Sequence, residues 1–372
     1  MASKETVQQI IQNSGADIVL NGNRDWDPQI KDERFYDRVL RDGSLGLGES
    51  YMDGWWDSKD MVGFFSRILT ADLKKKIKGN WQLFIPVLAS RIFNFQSKSR
   101  AFEVGEKHYD LGNDLYKAML DKRMIYTCAY WKNAKTLDKA QEDKLDLVCK
   151  KLQLKKGEKV LDIGCGWGGF LKYAAENYGI KGVGITVSKE QVTLAKKNVK
   201  GLPIDIRLQD YRDLNEKFDK IVSLGMFEHV GYKNYKTFMK VARKNMKRNG
   251  LFLLHTIGGN EPRTISDPWI GKYIFPNSMI PSASQISKAY EGEFVMEDWH
   301  NFGMDYSRTL KAWHENFNNQ WDKLKDQYDE EFKRMWDYYL TSSSAMFKTR
   351  RAQLWQIVLS PKGVQGGYES MR

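Results

Sequence analysis

From residue 157 onward the chain repeats one pattern: a short apolar run, a turn, then a stretch with apolar residues at helical spacing. Residues 160–163, 181–186, 204–208, 220–224 and 251–256 are the apolar runs, short and continuous enough to be strands covered on both faces. Residues 170–178 and 188–197 carry the helical periodicity between them. Strands that alternate with helices imply right-handed crossovers and a mostly parallel, doubly wound α/β sheet. Such sheets bind ligands beyond the carboxyl ends of their strands, here 164–169, Thr186, Asp210, 225–229 and 255–258. A last apolar run, 355–360, predicts a closing antiparallel edge strand, and 260–290 reads as an insertion before it.

The first part of the chain lacks this alternation. Residues 1–95 read as helical: Phe35, Val39 and Leu40 share a face, and Gly43 can end that helix. The stretch GSLGLGESYMDGWW at 43–56 joins small residues to bulky aromatic ones, a composition for close helix packing. Residues 96–100 form a polar, basic link, HYDLGN at 108–113 is a turn leading into a helix to about Leu120, and 137–152 makes an amphipathic helix. Beyond 290 the chain is aromatic and helical, with Trp313, Trp321, Trp336, Tyr338 and Tyr339. Two domains are expected, a small helical one over 1–95 and a larger α/β one over 96–372.

Composition narrows the setting. With 372 residues, 41% of them hydrophobic, the chain can build a substantial core, which excludes wholesale disorder. Cysteine occurs only at 128, 149 and 165, without a C-x-x-C pair, which argues against a disulfide scaffold or zinc cluster and suits a reducing cytosol. The start, MASKETVQQI, is polar, unlike a signal peptide. The apolar segment 81–89 contains Pro86 and is about half the length of a bilayer span. The expectation is a cytoplasmic protein, soluble or held peripherally at the inner face of the cell membrane. A net charge of +12 attracts polyanions, anionic phospholipid and nucleic acid alike, although a solubilising surface gives the same balance. Lys74, Lys75, Lys76, Lys78, Arg91, Lys98 and Arg100 surround Trp81, Phe84, Phe93 and Phe95, a mixture suited to a membrane headgroup layer. A buried helix with a charged outer face reads the same way.

The densest chemical signal is VLDIGCGWGG at 160–169, a strand, a glycine turn and a helix start. Gly164, Gly166, Gly168 and Gly169 let the backbone approach a phosphate or nucleoside. Their spacing, G-x-G-x-G-G, departs from the dinucleotide fingerprint. It resembles the first motif of the S-adenosylmethionine (SAM) methyltransferases, in which the glycines admit the amino-acid part of the cofactor. Where a nucleoside site usually has an acid for the ribose hydroxyls, Thr186 and Gln191 offer neutral partners, and Ser188 can cap the next helix. Asp210 is placed to accept from an adenine amino group, or is a surface turn. Glu228 follows the fourth strand, and His255 interrupts the apolar run 251–257. Each alone fits a solvated acid or a core histidine; as neighbours at strand ends they suit anion binding or proton handling.

With these residues the chain resembles the cyclopropane fatty acid synthase family, part of the mycolic acid cyclopropane synthase superfamily. The resemblance runs through 43–56, HYDLGN at 108–113, TCAYW at 127–131, 160–169, MFEHV at 226–230, LHTI at 254–257 and VMEDWHNFG at 295–303, nearly the whole chain. It implies a Rossmann-like SAM-dependent methyltransferase whose 1–95 domain is a lipid- or membrane-associated extension that the small mycolic-acid relatives lack. It implies methylene transfer from SAM to the cis double bond of an unsaturated phospholipid acyl chain, at an anionic membrane surface, by a homodimer. The alkene would attack the sulfonium methyl, leaving a carbocation on the chain, and loss of a proton from the new methyl would close the ring. The resemblance supplies a bound bicarbonate as general base, held by Glu228, His255, Tyr306 and the backbone around Cys128 and Ile257. Two anions side by side imply that Glu228 or the bicarbonate carries a shared proton. Cofactor contacts carry over to Tyr126, Thr127, Gly164, Gly166, Gly168, Thr186, Gln191, Asp210 and Tyr211.

Residues 342–344 are all serine, where some relatives have a cysteine once considered catalytic. With Ser343 in that place, a covalent cysteine mechanism has no nucleophile, and Cys128 has no evident task beyond a backbone contact. Nucleic acid is not the expected substrate. The N-P-P-[YF] loop of adenine-amine methylases is absent, and Cys128 precedes the glycine loop, whereas cytosine-C5 enzymes place their nucleophile after it. Two other readings stay open: a SAM-dependent enzyme acting on another acceptor, such as one making a methyl-branched lipid or methylating a small amine, and a non-catalytic lipid-binding protein.

Overall fold

A computed structural model describes residues 2–71 and 112–372. The basic, aromatic stretch at 74–100, the link at 96–100 and the turn as far as Leu111 lie outside the described residues.

The apolar runs become strands. A two-residue antiparallel pair, β1 (Gln29–Ile30) and β2 (Trp56–Asp57), belongs to the helical first part. The main sheet comprises β3 (Lys159–Ile163), β4 (Lys181–Thr186), β5 (Ile204–Leu208), β6 (Phe218–Leu224), β7 (Met246–Gly259), β8 (Val295–Asn301) and β9 (Ala352–Ser360), in the order β5-β4-β3-β6-β7-β9-β8. The first five neighbours pair in parallel. Their order reverses at β3, so the crevice beyond β3 and β6 is a topological switch point.

Alternation along each strand sends side chains to two covered faces. Ile221 and Phe252 meet Phe238, Met239 and Ala242 of helix Tyr235–Asn245 on one face. Val222 and Leu253 meet Leu145 and Val148 of helix Leu137–Lys151 and Phe170 of helix Gly169–Tyr178 on the other.

The edge differs from expectation. β9 is antiparallel, as its sequence implies, but it lies between β7 and β8 and is buried along its whole length. The edge is β8. Its sequence, VMEDWHN, lacks a continuous apolar run, and it leaves Val295 and Met296 exposed. β7 also outruns the expected 251–256, because residues 257–259 continue the ladder with β9.

The first part forms helices Ala2–Ser14, Arg34–Asp42, Ser44–Met52 and Met61–Thr70, with Gly43 at the junction of the second and third. Trp56 is fully buried against Phe35, Tyr51 and Phe64. Gly48 fits against Trp269 so closely that any Cβ there would run into the indole. This core continues without a break into helices Gly303–Asn319 and Glu330–Lys348. Tyr338 packs on Tyr51 and Phe65, and Arg334 donates to the Trp56 carbonyl while pairing with Asp57. No helix among the described residues is long and apolar enough to cross a membrane.

Candidate active site

The glycine turn behaves as its sequence requires. Gly164 has φ +87°, a conformation side chains rarely adopt, and a Cβ there would come within 2.7 Å of Met226. The amides of Gly164 and Cys165 both donate to the Ile185 carbonyl at 3.0 Å, fastening the turn to β4. The turn and the ends of β3, β4 and β6 wall a cleft with about 1390 Å³ of empty volume, its mouth included. Tyr126, Thr127, Gly164, Gly166, Thr186, Gln191, Asp210 and Tyr211 all line it. Gly168 stands apart from this lining; it opens helix Gly169–Tyr178 and faces Val199.

The lining is chemically graded. Thr186 Oγ1 donates to Gln191 Oε1 at 2.7 Å, and Ser188 accepts from the Gln191 amide at 3.2 Å, making a neutral shelf at the end of β4. Both Asp210 oxygens accept from Arg212, at 2.8–2.9 Å. Asp162 is not among the expected site residues, although its signal is plain: an acid inside a buried strand, two residues before Gly164. It lies on the cleft, its Oδ1 has no partner among the described residues, and burial pushes its carboxyl up to about 7. His229 also lines the cleft, and burial brings its imidazole down to about 4, so it is neutral. A buried acid beside a glycine turn, with a neutral hydroxyl and amide shelf farther along the sheet, could hold the amino-acid and ribose parts of SAM.

The remaining predicted residues sit beside this cleft. Glu228, in the 3₁₀ turn Phe227–His229, accepts from the Ile257 amide at 2.6 Å. Its Oε2 is buried without a partner among the described residues, and burial pushes the carboxyl up to about 7. His255 pairs with Leu224 across the β6–β7 ladder. Its Nδ1 lies 3.3 Å from Gln356 Nε2, its Nε2 is buried without a partner among the described residues, and burial holds it neutral. The His255 ring is 6.1 Å from Phe302, which precedes the helix carrying Tyr306. One turn beyond Tyr306, Thr309 Oγ1 accepts from the Ala129 amide at 3.1 Å, which brings Cys128 against the same helix. The Cys128 thiol is buried, and its pKa is pushed far above the ordinary value by loss of water, as an inert thiol's is. Aromatic rings complete the surroundings. Tyr126 packs 5.2 Å from both Tyr116 and Trp313, and its hydroxyl shares a 2.9 Å hydrogen bond with Tyr339. Tyr306 packs on Phe347 and Trp313.

The family model described as mycolic acid cyclopropane synthetase matches residues 96–357. The chain belongs to this family. It is 52% identical over 359 residues to cyclopropane-fatty-acyl-phospholipid synthase of Escherichia coli K12, covering 96% of this chain and 94% of that protein. Among solved structures it resembles the cyclopropane synthase MmaA2 from Mycobacterium tuberculosis, with 29% identity and a TM-score of 0.66 over 69% of this chain and 97% of the other. It likewise resembles mycolic acid cyclopropane synthase CmaA1 complexed with SAH and CTAB, with 30% identity and a TM-score of 0.65 over the same shares. The protein is thus an enzyme of the SAM-dependent methyltransferase class, with the sheet of that class and a helical N-terminal part.

Proposed function

We propose that this enzyme transfers a methylene group from SAM to the cis double bond of an unsaturated phospholipid acyl chain, closing a cyclopropane ring. The observation that carries the reading is the 52% identity to the Escherichia coli synthase across 96% of the chain. That likeness includes the helical N-terminal part, whereas the mycolic acid synthases align over 69% of the chain.

Bound in the cleft, SAM would supply an electrophilic methyl group. Asp162 Oδ1 is suited to its ammonium, the Thr186–Gln191 shelf and Asp210 to its nucleoside, and Gly166, with open space where a Cβ would be, to close approach of its backbone. Tyr126, Trp313 and Tyr306 offer ring faces to positive charge developing on the acyl chain. A carboxylate of ordinary acidity would repel a second anion. Glu228, with its carboxyl near 7, can instead hold a proton and donate from Oε2. The neutral His255 can donate from Nε2 when Gln356 donates to Nδ1. These two groups, with Tyr306 and the backbone at Cys128 and Ile257, would hold a bicarbonate, which would supply the base. The three cysteines are all buried, which supports a reaction without a thiolate nucleophile.

The protein would work as a homodimer at an anionic inner membrane surface, the net charge of +12 supporting attraction to that surface. Purified protein, SAM and vesicles of mono-unsaturated phospholipid in bicarbonate buffer should give acyl chains heavier by one methylene, with upfield ring protons in NMR. Vesicles recovered unchanged after SAM and enzyme have been incubated to exhaustion would reject the activity in favour of a lipid-binding protein.

A further inference from the structure

Helix Leu137–Lys151 buries three polar side chains without solvent exposure, Gln141, Lys144 and Lys151, and the first two lie one turn apart. Both reach the segment 125–128 that walls the cleft. Gln141 Nε2 donates to the Thr127 carbonyl at 2.8 Å, and Lys144 Nζ donates to Thr127 Oγ1 at 2.7 Å. Asp121, also buried, fixes the start of the same segment by accepting from the Ile125 amide at 2.8 Å. Thr127 itself presses on Gly225, where a Cβ would meet its Cγ2 at 2.6 Å, and it lines the cleft beside Gly164 and Gly166.

An ammonium without water is costly, and an apolar residue would serve a helix–sheet contact better. Burial brings Lys144 down only to about 8, so it stays charged near neutrality. An ammonium has donors and no acceptor. With Oγ1 accepting from Lys144, the Thr127 proton must go elsewhere, and no residue among those described accepts it. Thr127, Asp162 and the glycine turn all line the same cleft.

We propose that Lys144 is a positioning residue for the cofactor: by donating to Thr127 Oγ1 it commits the Thr127 hydroxyl to donate to the carboxylate of the amino-acid end of SAM. Asp162 then takes the ammonium of the same zwitterion. This rests on the reading of the cleft as a SAM site, and it is tested by binding rather than turnover. Calorimetry on the full chain would compare S-adenosylhomocysteine with 5′-methylthioadenosine, which lacks the amino-acid part. Lys144→Met should weaken S-adenosylhomocysteine by about 10-fold or more, as for a lost hydrogen bond to a charged group, and leave methylthioadenosine unchanged. Thr127→Val should show the same selective loss, Thr127→Ser should not, and the Lys144→Met/Thr127→Val double variant should lose no more than either alone. If Lys144→Met does not fold, the contrast between Thr127→Val and Thr127→Ser decides. Equal loss for both ligands, or undiminished S-adenosylhomocysteine binding, overturns the proposal. Failure of the unaltered protein to bind S-adenosylhomocysteine overturns the cofactor reading itself.

Discussion

Glu228 illustrates how burial sets chemistry at a single residue. Its carboxyl rises from an ordinary 4.5 to about 7, chiefly through loss of water. Between those values the native state keeps a proton that the unfolded chain has lost, so this residue's contribution to stability falls as pH rises, by about 3 kcal/mol across the window. Glu228→Gln should remove that slope. Urea unfolding at pH 5 and pH 8 should show the variant gaining on the parent protein at the higher pH, and parallel curves would contradict the assignment. The same variant, and His255→Ala, should lose turnover by ~10²-fold or more while S-adenosylhomocysteine binding survives. Both residues were legible because each is a polar interruption at the end of an apolar run. Lys144 was not. A lysine on an amphipathic helix looks like a solvated face until its neighbours are known, and here those neighbours come from residues 121–128 and 162.

At the scale of elements, the parallel strands are legible because strands buried on both faces leave continuous apolar runs. Lateral neighbours leave no such mark. The run at 355–360 announces two covered faces but is silent about whether a further strand lies beside it, and β8, with Glu297, Asp298, His300 and Asn301 in seven residues, has no apolar run to mark it. The small-residue stretch at 43–56 announces close packing correctly, and the structure adds the partner, Trp269. Gly48→Val should therefore prise helix Ser44–Met52 from helix Pro268–Tyr273, with an overpacking cost of about 1–3 kcal/mol. A lowered melting temperature is the expected result; an unchanged one would mean that the contact yields without cost.

At the scale of the molecule, the expected boundary near residue 95 falls outside the described residues. The helical first part shares its core with helices Gly303–Asn319 and Glu330–Lys348, nearly three hundred residues away in the chain. Composition carries no sign of such distant pairing. The proposed membrane attachment belongs to this scale as well. Neutralising Lys74, Lys75, Lys76 and Lys78 should weaken co-sedimentation with anionic vesicles, and undiminished sedimentation would remove this stretch from the membrane contact. The proposed ring closure requires that a methylene, and not an intact methyl, remain on the lipid. The direct measurement uses SAM carrying a trideuterated methyl group and mass spectrometry of the product chains. Ring closure by loss of a proton from the transferred group leaves two deuterons on the chain; three retained deuterons would contradict it.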